Sequence, residues 1–560
     1  MNNALHLRTS PLSTRLSFFP LLVTALALTP ALSQAQNAAP EITREKVERA
    51  VDALKHYGLG HKDAFTPPGI AIAIVYQDEV VATLVDGVRQ VSQPEKIDSN
   101  TAFQLASVSK PLGATVMAKL ISQGVQWKTA TEAGKMGWDT PIQKLMPDFV
   151  LDSADVTHNV SSRITLGNLY SHRSGLPEHA GDDLEGLGRS RAEVIQRLRY
   201  IPGVGKNFEE KKYAYTNFGL TAAGVAAANA AGMSWEAASS SLLYKPLDMR
   251  NTSSLYTDFI HNPNHASGHV IRGGKWVFEK QRQPDAQSPA GGASSSVKDM
   301  AQWMRLYLAD GKLGGKQYIP ADALRELYSA HIDVSDEEKL AAKADASCDN
   351  AARYIYGWNA CWNGKSVRLN HSGAFTMGAS TVVTLLPREK LGIVVLTNSE
   401  PHGVAEALAR GFIELAENDQ LDARKRFPEL FAEMKQKMDE AIRGVQTGIL
   451  DPSSCPVHGP ADVNLGRYIG TYANAYFGPF DVVRENAYLS VVMGRGKEDR
   501  FLLSPCRSNA QNGFDFYFEI TGENAAGHEL VQFAARNPDA PANKMIIPHL
   551  QVGELQRADK

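Results

Sequence analysis

At 560 residues the chain is too long for one ordinary core, and at roughly 150 residues per domain it has room for two to four. A hydrophobic share of 43% with 21% charged residues is that of a folded globular protein and excludes disorder as the main state. The 58 Lys and Arg against 61 Asp and Glu leave a net charge of −3, so no global field draws nucleic acid or an anionic membrane, and four cysteines without CxxC spacing exclude a disulfide scaffold or a CxxC metal or redox site.

Arg8 and Arg15 precede an apolar stretch at 18–28, and Ser33 and Ala35 then flank Gln34 in the small-x-small pattern of a signal-peptidase site. The apolar part is short of the roughly 20 residues that span a bilayer as a helix. This predicts a signal peptide over 1–35, cleavage after Ala35, and a periplasmic or secreted mature chain that keeps no membrane segment. In an oxidising compartment, Cys348 with Cys361 and Cys455 with Cys506 is one of the three pairings that four cysteines allow.

The mature chain opens with a helix over 41–60, with Ile42, Val47, Val51 and Leu54 on one side. Strands at 70–75 and 80–85 follow, joined at Gln77-Asp78-Glu79. Helical patterns cover 107–122 and 191–198, and a second strand pair lies at 379–386 and 391–397. Strands at both ends with helices between them predict an α+β domain whose sheet joins its termini. Residues 405–445 are helical and charged. After Asp451-Pro452-Ser453-Ser454 come short alternating strands at 480–483, 488–493, 514–520 and 530–533, which predict an all-β module of roughly 100 residues.

Three short motifs carry chemistry. Ser107-Val108-Ser109-Lys110 opens a helix, where positions i and i+3 share a face, so the serine hydroxyl and the lysine amine can meet. An amine kept neutral by burial can take the serine proton and activate the hydroxyl as a nucleophile. The spacing recurs in Ser295-Ser296-Val297-Lys298 with no implied chemistry, and any single match is ordinarily a helix cap followed by a solvated lysine. In Tyr215-Thr216-Asn217 the phenol and the amide point the same way along an extended segment; the phenolate can serve as a base and Asn217 can donate a hydrogen bond to a substrate carbonyl. In His371-Ser372-Gly373, just before an apolar strand, the glycine permits close backbone approach and the next amide, Ala374 N–H, can face an oxyanion.

The ordered set Ser-x-x-Lys, Tyr-x-Asn, His-x-Gly resembles the serine hydrolases of the penicillin-recognising fold, in the branch of class C β-lactamases, D-aminopeptidases and esterases. Residues 164–177, 244–249, 290–296 and 391–399 resemble further segments of that branch, with Asp248 where glycine is usual. The resemblance spans about 41–420 and implies a β-lactamase/transpeptidase-like domain there, a helical connector over 421–460, and a lipocalin-like barrel over 461–560, whose 465–474 segment resembles the usual opening of such barrels. It implies that Ser107 is the acylated nucleophile, Lys110 its proton partner and Tyr215 a second acid/base group. Asn217 would hold the substrate amide, and the Ser107 and Ala374 amides would form the oxyanion hole beside His371 and Gly373. No metal or cofactor is implied.

Many β-lactamases and transpeptidases carry lysine where this chain has His371, and a neutral histidine captures a substrate carboxylate less well. The expected activity is therefore hydrolysis, through an acyl-enzyme, of amide or ester bonds in a small molecule or short peptide. A peptidase or amidase acting on peptides with D- or unusual residues, linearised cyclic peptides among them, stands ahead of a class C-like β-lactamase or esterase. A non-catalytic receptor of the same fold is the rival of another class.

Overall fold

Ile70, Ile72 and Ile74 alternate with Ala71, Ala73 and Val75, and both sets are buried, because this strand lies between two apolar layers. The computed structural model describes residues 42–558 except 64–65, 153–159, 330–349, 364–365, 446–449, 457–463, 495–498 and 520–526. The expected signal segment, its cleavage point after Ala35, and Cys348 lie outside the described residues.

The strand Gly69–Tyr76 (β1) turns at Gln77 and Asp78, with φ of 50° and 69°, into Glu79–Gly87 (β2). Two successive left-handed residues match the right-handed twist of a hairpin. From the other end of the domain come Asn350–Ile355 (β3), Trp358–Asn363 (β4), Ser366–Phe375 (β5), Ala379–Leu386 (β6) and Leu391–Thr397 (β7). The seven strands form one antiparallel sheet in the order β3-β4-β5-β6-β7-β1-β2. Pairing of Ile72 with Val395 joins the two ends of the domain, as the strand pattern predicts.

The helices that matter here are α1 (Arg44–Ala53), α2 (Ser109–Ser122), α3 (Asp182–Gly186), α4 (Arg191–Arg197), α5 (Asn217–Ala230), α6 (Ser288–Gly291), α7 (Val297–Leu308), α8 (Val404–Glu417) and α9 (Ala423–Val445). Val47 of α1, Leu408 and Phe412 of α8 and Phe427 of α9 pack on the isoleucine face of β1. The opposite face meets the layer that contains α2, α5 and α7. α2 is buried on nearly every side, which its all-round apolar sequence allows. The helical stretch expected at 405–445 breaks between α8 and α9. There the Asn418 and Asp422 side chains accept from the backbone N–H groups of Gln420 and Arg424, competing with helical bonds.

The C-terminal strands Gly470–Asn474 (β8), Gly478–Glu485 (β9), Tyr488–Met493 (β10), Asp499–Ser508 (β11), Phe514–Glu519 (β12), His528–Ala535 (β13), Ala542–Ile546 (β14) and Glu554–Arg557 (β15) close into a barrel. Its interior is filled by alternate side chains such as Phe480, Leu489, Val491, Phe516 and Phe533. β9, β10, β12 and β13 fall where apolar alternation predicts strands. β8, β11, β14 and β15 are held by barrel closure; β15 places Leu555 alone in the core. Cys455 is bonded to Cys506 of β11, and Cys361 is also disulfide-bonded.

Candidate active site

Ser107 lies in a single 3-10 turn, Ala106–Val108, that leads directly into α2. Ala106 has φ of 46°, a conformation that costs a non-glycine residue about 1–3 kcal/mol. Packing holds it there: its methyl group is enclosed with Phe375 and Ala379. Residues 290–295 bracket the same turn, since Leu105 N donates to Ala293 O and Ala293 N donates to Ser109 Oγ, both at 2.9 Å.

One helical turn on, Lys110 has no exposed surface, and its amine meets three partners. Nζ is 2.9 Å from Ser107 Oγ, 2.7 Å from Asn217 Oδ1 and 3.1 Å from Ala290 O. Burial lowers its pKa to about 7, while the charge of Asp182 pulls the other way. A neutral amine has two N–H donors and one lone pair. Asn217 Oδ1 and Ala290 O can only accept, so they take both N–H groups and the lone pair is left for the Ser107 hydroxyl.

Tyr215 Oη donates to Ser107 Oγ at 2.9 Å, and its ring lies 4.6 Å from Lys110 Nζ. Burial raises its pKa, so the phenol is protonated at neutral pH. His172 fixes this segment: its O accepts from Ala214 N at 2.9 Å and its Nδ1 accepts from Thr216 N at 3.2 Å. The extended Thr216 then starts α5, which brings Asn217 to Lys110. Asn217 Nδ2 donates to Asp182 Oδ2 at 2.9 Å, so its carboxamide bridges Lys110 and Asp182. The same Asp182 oxygen is 2.9 Å from His179 Nδ1, which raises the pKa of that histidine.

Gly373 of β5 lies against the turn that carries Ser107. A Cβ there would overlap Leu105 O and Thr381 Oγ1 and stand 3.1 Å from Ser107 N. His371 is buried on the same strand: Nδ1 is 2.7 Å from Ser372 O, and Nε2 is 3.0 Å from the Tyr354 hydroxyl. The carbonyl needs a donor, so the proton sits on Nδ1 and Tyr354 donates to Nε2. Burial, with Lys110 adding to it, pushes the histidine pKa down to about 3, so it is neutral. Ala374 lies beyond Gly373 at an exposed position. β4 pairs with β5 only as far as Asn370, so among the described residues 371–375 pair only with β6.

The structure therefore joins Ser107, Lys110, Tyr215 and Asn217 in one hydrogen-bonded cluster and sets Gly373 against it, while His371 is tied to Tyr354. The second Ser-x-x-Lys match is structural: Ser296 caps α7 through Asp299 N at 3.2 Å, and Lys298 is exposed. Sequence reasoning missed His172, Asp182 and Ala290. His172 and Ala290 lie within 164–177 and 290–296, and the family likeness of those segments is the signal that points to them. Asp182 sits in an acidic stretch that resembles ordinary solvated surface.

A family model described as Beta-lactamase matches residues 63–418. A protein named Unguisins hydrolase ungD, from Aspergillus violaceofuscus, is 23% identical over 445 residues, 75% of this chain and 74% of that protein. Penicillin-binding protein 4 from Amycolatopsis lactamdurans is 24% identical over 340 residues, 59% of this chain and 81% of that protein. The octameric penicillin-binding protein homologue from Pyrococcus abyssi superposes with a TM-score of 0.50 at 17% identity, covering 91% of this chain and 99% of that one. This last likeness is one of fold.

Proposed function

This chain belongs to the beta-lactamase family and is a serine hydrolase, and from that premise we propose that it cleaves amide bonds in short peptides through an acyl-enzyme on Ser107. In this reading Ser107 Oγ bonds to the substrate carbonyl carbon while its proton passes to the Lys110 lone pair. The carbonyl oxygen takes up the negative charge beside the Ser107 and Ala374 amides. The carbon–nitrogen bond then breaks, and the leaving amine receives a proton by way of Tyr215. Water then attacks the acyl carbon, the bond from that carbon to Ser107 Oγ breaks to release the carboxylic acid, and a proton from the water passes through Lys110 and Tyr215 to Ser107 Oγ.

The state of His371 carries the choice of substrate. A group held neutral by burial and bonded to Tyr354 offers no fixed charge to the carboxylate of a β-lactam. Arg282, whose guanidinium lies 5.6 Å from the Phe375 ring, is already paired with Glu185 at 2.6 Å. The β5 edge beyond Asn370 suits an extended peptide that adds alongside it. Peptides with D- or unusual residues, linearised cyclic peptides among them, are the substrates proposed. The proposed site of action is outside the cytoplasm, in keeping with the signal-peptide pattern and the Cys455–Cys506 bridge.

The test compares release of p-nitroaniline from L- and D-amino-acid anilides with hydrolysis of nitrocefin, each in the wild type and in Ser107→Ala. Anilide turnover that vanishes in the variant, with slow nitrocefin hydrolysis, is the expected result. Faster turnover of nitrocefin than of any anilide would make the enzyme a β-lactamase. Failure of every acylating probe to label Ser107 would leave a receptor.

A further inference from the structure

The barrel reaches the hydrolase domain through the turn between β8 and β9. Arg197 Nη1 donates to Ala475 O and to Tyr476 O, each at 2.7 Å, and Arg189 Nη2 donates to Phe477 O at 2.8 Å. Three successive carbonyls of the barrel are thus held by arginines from the α3–α4 region. Gln551, in the turn between β14 and β15, donates to Glu178 O from the same end of the barrel.

Tyr476 projects from this turn and is fully buried. Its hydroxyl accepts from Gly181 N at 3.1 Å and donates to Asp183 Oδ1 at 2.7 Å. One phenol oxygen therefore grips the residues on both sides of Asp182. Asp182 sends its own carboxylate the other way, to Asn217 Nδ2 and His179 Nδ1, and Asn217 in turn accepts from Lys110. Gly181 lies in a tightly packed place. Its φ is 92°, and a Cβ there would stand 2.7 Å from Val194 Cγ1 and 3.0 Å from Phe218 Cδ2, the side chain next to Asn217.

We propose that Tyr476 of the barrel is a positioning residue for Lys110, acting through the clamp on Gly181 and Asp183 that holds Asp182 against Asn217. The barrel is then a working part of the hydrolase site and not only an attached module. The proposal rests on Lys110 being the proton acceptor for Ser107. The titratable groups around Lys110 are Tyr215, Asp182, His172, His179 and His371. Tyr215 stays protonated, and His172 and His371 stay neutral through burial. Asp182 is the charge that opposes the effect of burial on the amine. Loosening the clamp moves that charge away, so the amine should lose its proton at lower pH, and its aim at Ser107 should worsen.

The experiment uses the full chain and follows the rate at which a fluorophosphonate probe labels Ser107 as the pH is varied through neutrality. In Tyr476→Phe, which keeps the ring and removes the hydroxyl, the midpoint of the rate profile should move down by roughly half a pH unit or more. The plateau rate should fall about tenfold or further. A purely structural loosening of the barrel would lower the yield of folded protein without moving the midpoint. A folded Tyr476→Phe with native midpoint and plateau overturns the proposal. If Tyr476→Phe lacks a cooperative thermal transition, Asp182→Asn decides: the same downward shift supports the relay, and an unmoved midpoint overturns it. Lys110→Ala labelling as fast as the wild type would refute the assignment of Lys110 itself, and the proposal with it.

Discussion

Lys110 Nζ and Ser107 Oγ stand 2.9 Å apart at the start of a helix, and the amine is fully buried while the serine is half-exposed. In the proposed mechanism the pair separates two needs: the base is dried to release its proton, and the nucleophile stays open to substrate. Asn217 Oδ1 and Ala290 O complete the arrangement by occupying the two N–H groups of the neutral amine. Four consequences can be measured.

Lys110→Ala should lower kcat/KM by about 10²–10⁴-fold, the usual worth of a positioned acid/base group. Lys110→Arg should fail as badly, because a guanidinium keeps its proton at any working pH. Steady-state rates on the best anilide substrate decide this. Near-native turnover by the arginine variant would show that a positive charge, and not a proton acceptor, is what the site needs.

The pH dependence follows from the same burial. Lys110 must be neutral to accept, and its pKa lies at about 7, so kcat/KM should rise with pH through neutrality and then level off. His371, at about 3, is already neutral across this range and adds no second acid limb. A profile of log kcat/KM against pH that falls as pH rises through neutrality would contradict this account.

Tyr215→Phe keeps the ring beside Lys110 and removes the hydroxyl that donates to Ser107 Oγ. Its kcat should drop by about 10²–10⁴-fold, with little change in melting temperature. Rapid-quench measurement of acylation and deacylation would show which half-reaction slows. Native rates in both would remove the phenol from proton transfer.

Gly373→Ala should damage stability and labelling together. The new methyl would overlap Leu105 O and Thr381 Oγ1 and press on Ser107 N. Backbone that cannot yield makes this an overpacking substitution, worth about 1–3 kcal/mol in chemical denaturation. Displacement of the Ser107 amide should also slow fluorophosphonate labelling. A variant of native stability and native labelling rate would show that the strand can retreat freely.

The sequence by itself determined whatever depends on neighbours along the chain. Apolar runs around short polar turns placed β6 and β7 at 379–386 and 391–397, because fully buried strands need such runs. The meeting of Ser107 with Lys110 was legible because i and i+3 share a helical face. The same spacing at Ser295 and Lys298 gives a cap and an exposed lysine, so spacing alone does not make a site. Only the tertiary structure decided the difference, by removing water from Lys110 and leaving it around Lys298. It also decided the charge of His371, which depends on burial and on Tyr354 from another strand. Asp182 and Tyr476 were invisible for a related reason. An acidic stretch and a barrel tyrosine become partners of the site only when folding joins Gly181 to a residue 295 positions away. Local geometry is written residue by residue, whereas desolvation and long-range hydrogen bonds exist only once distant segments have packed.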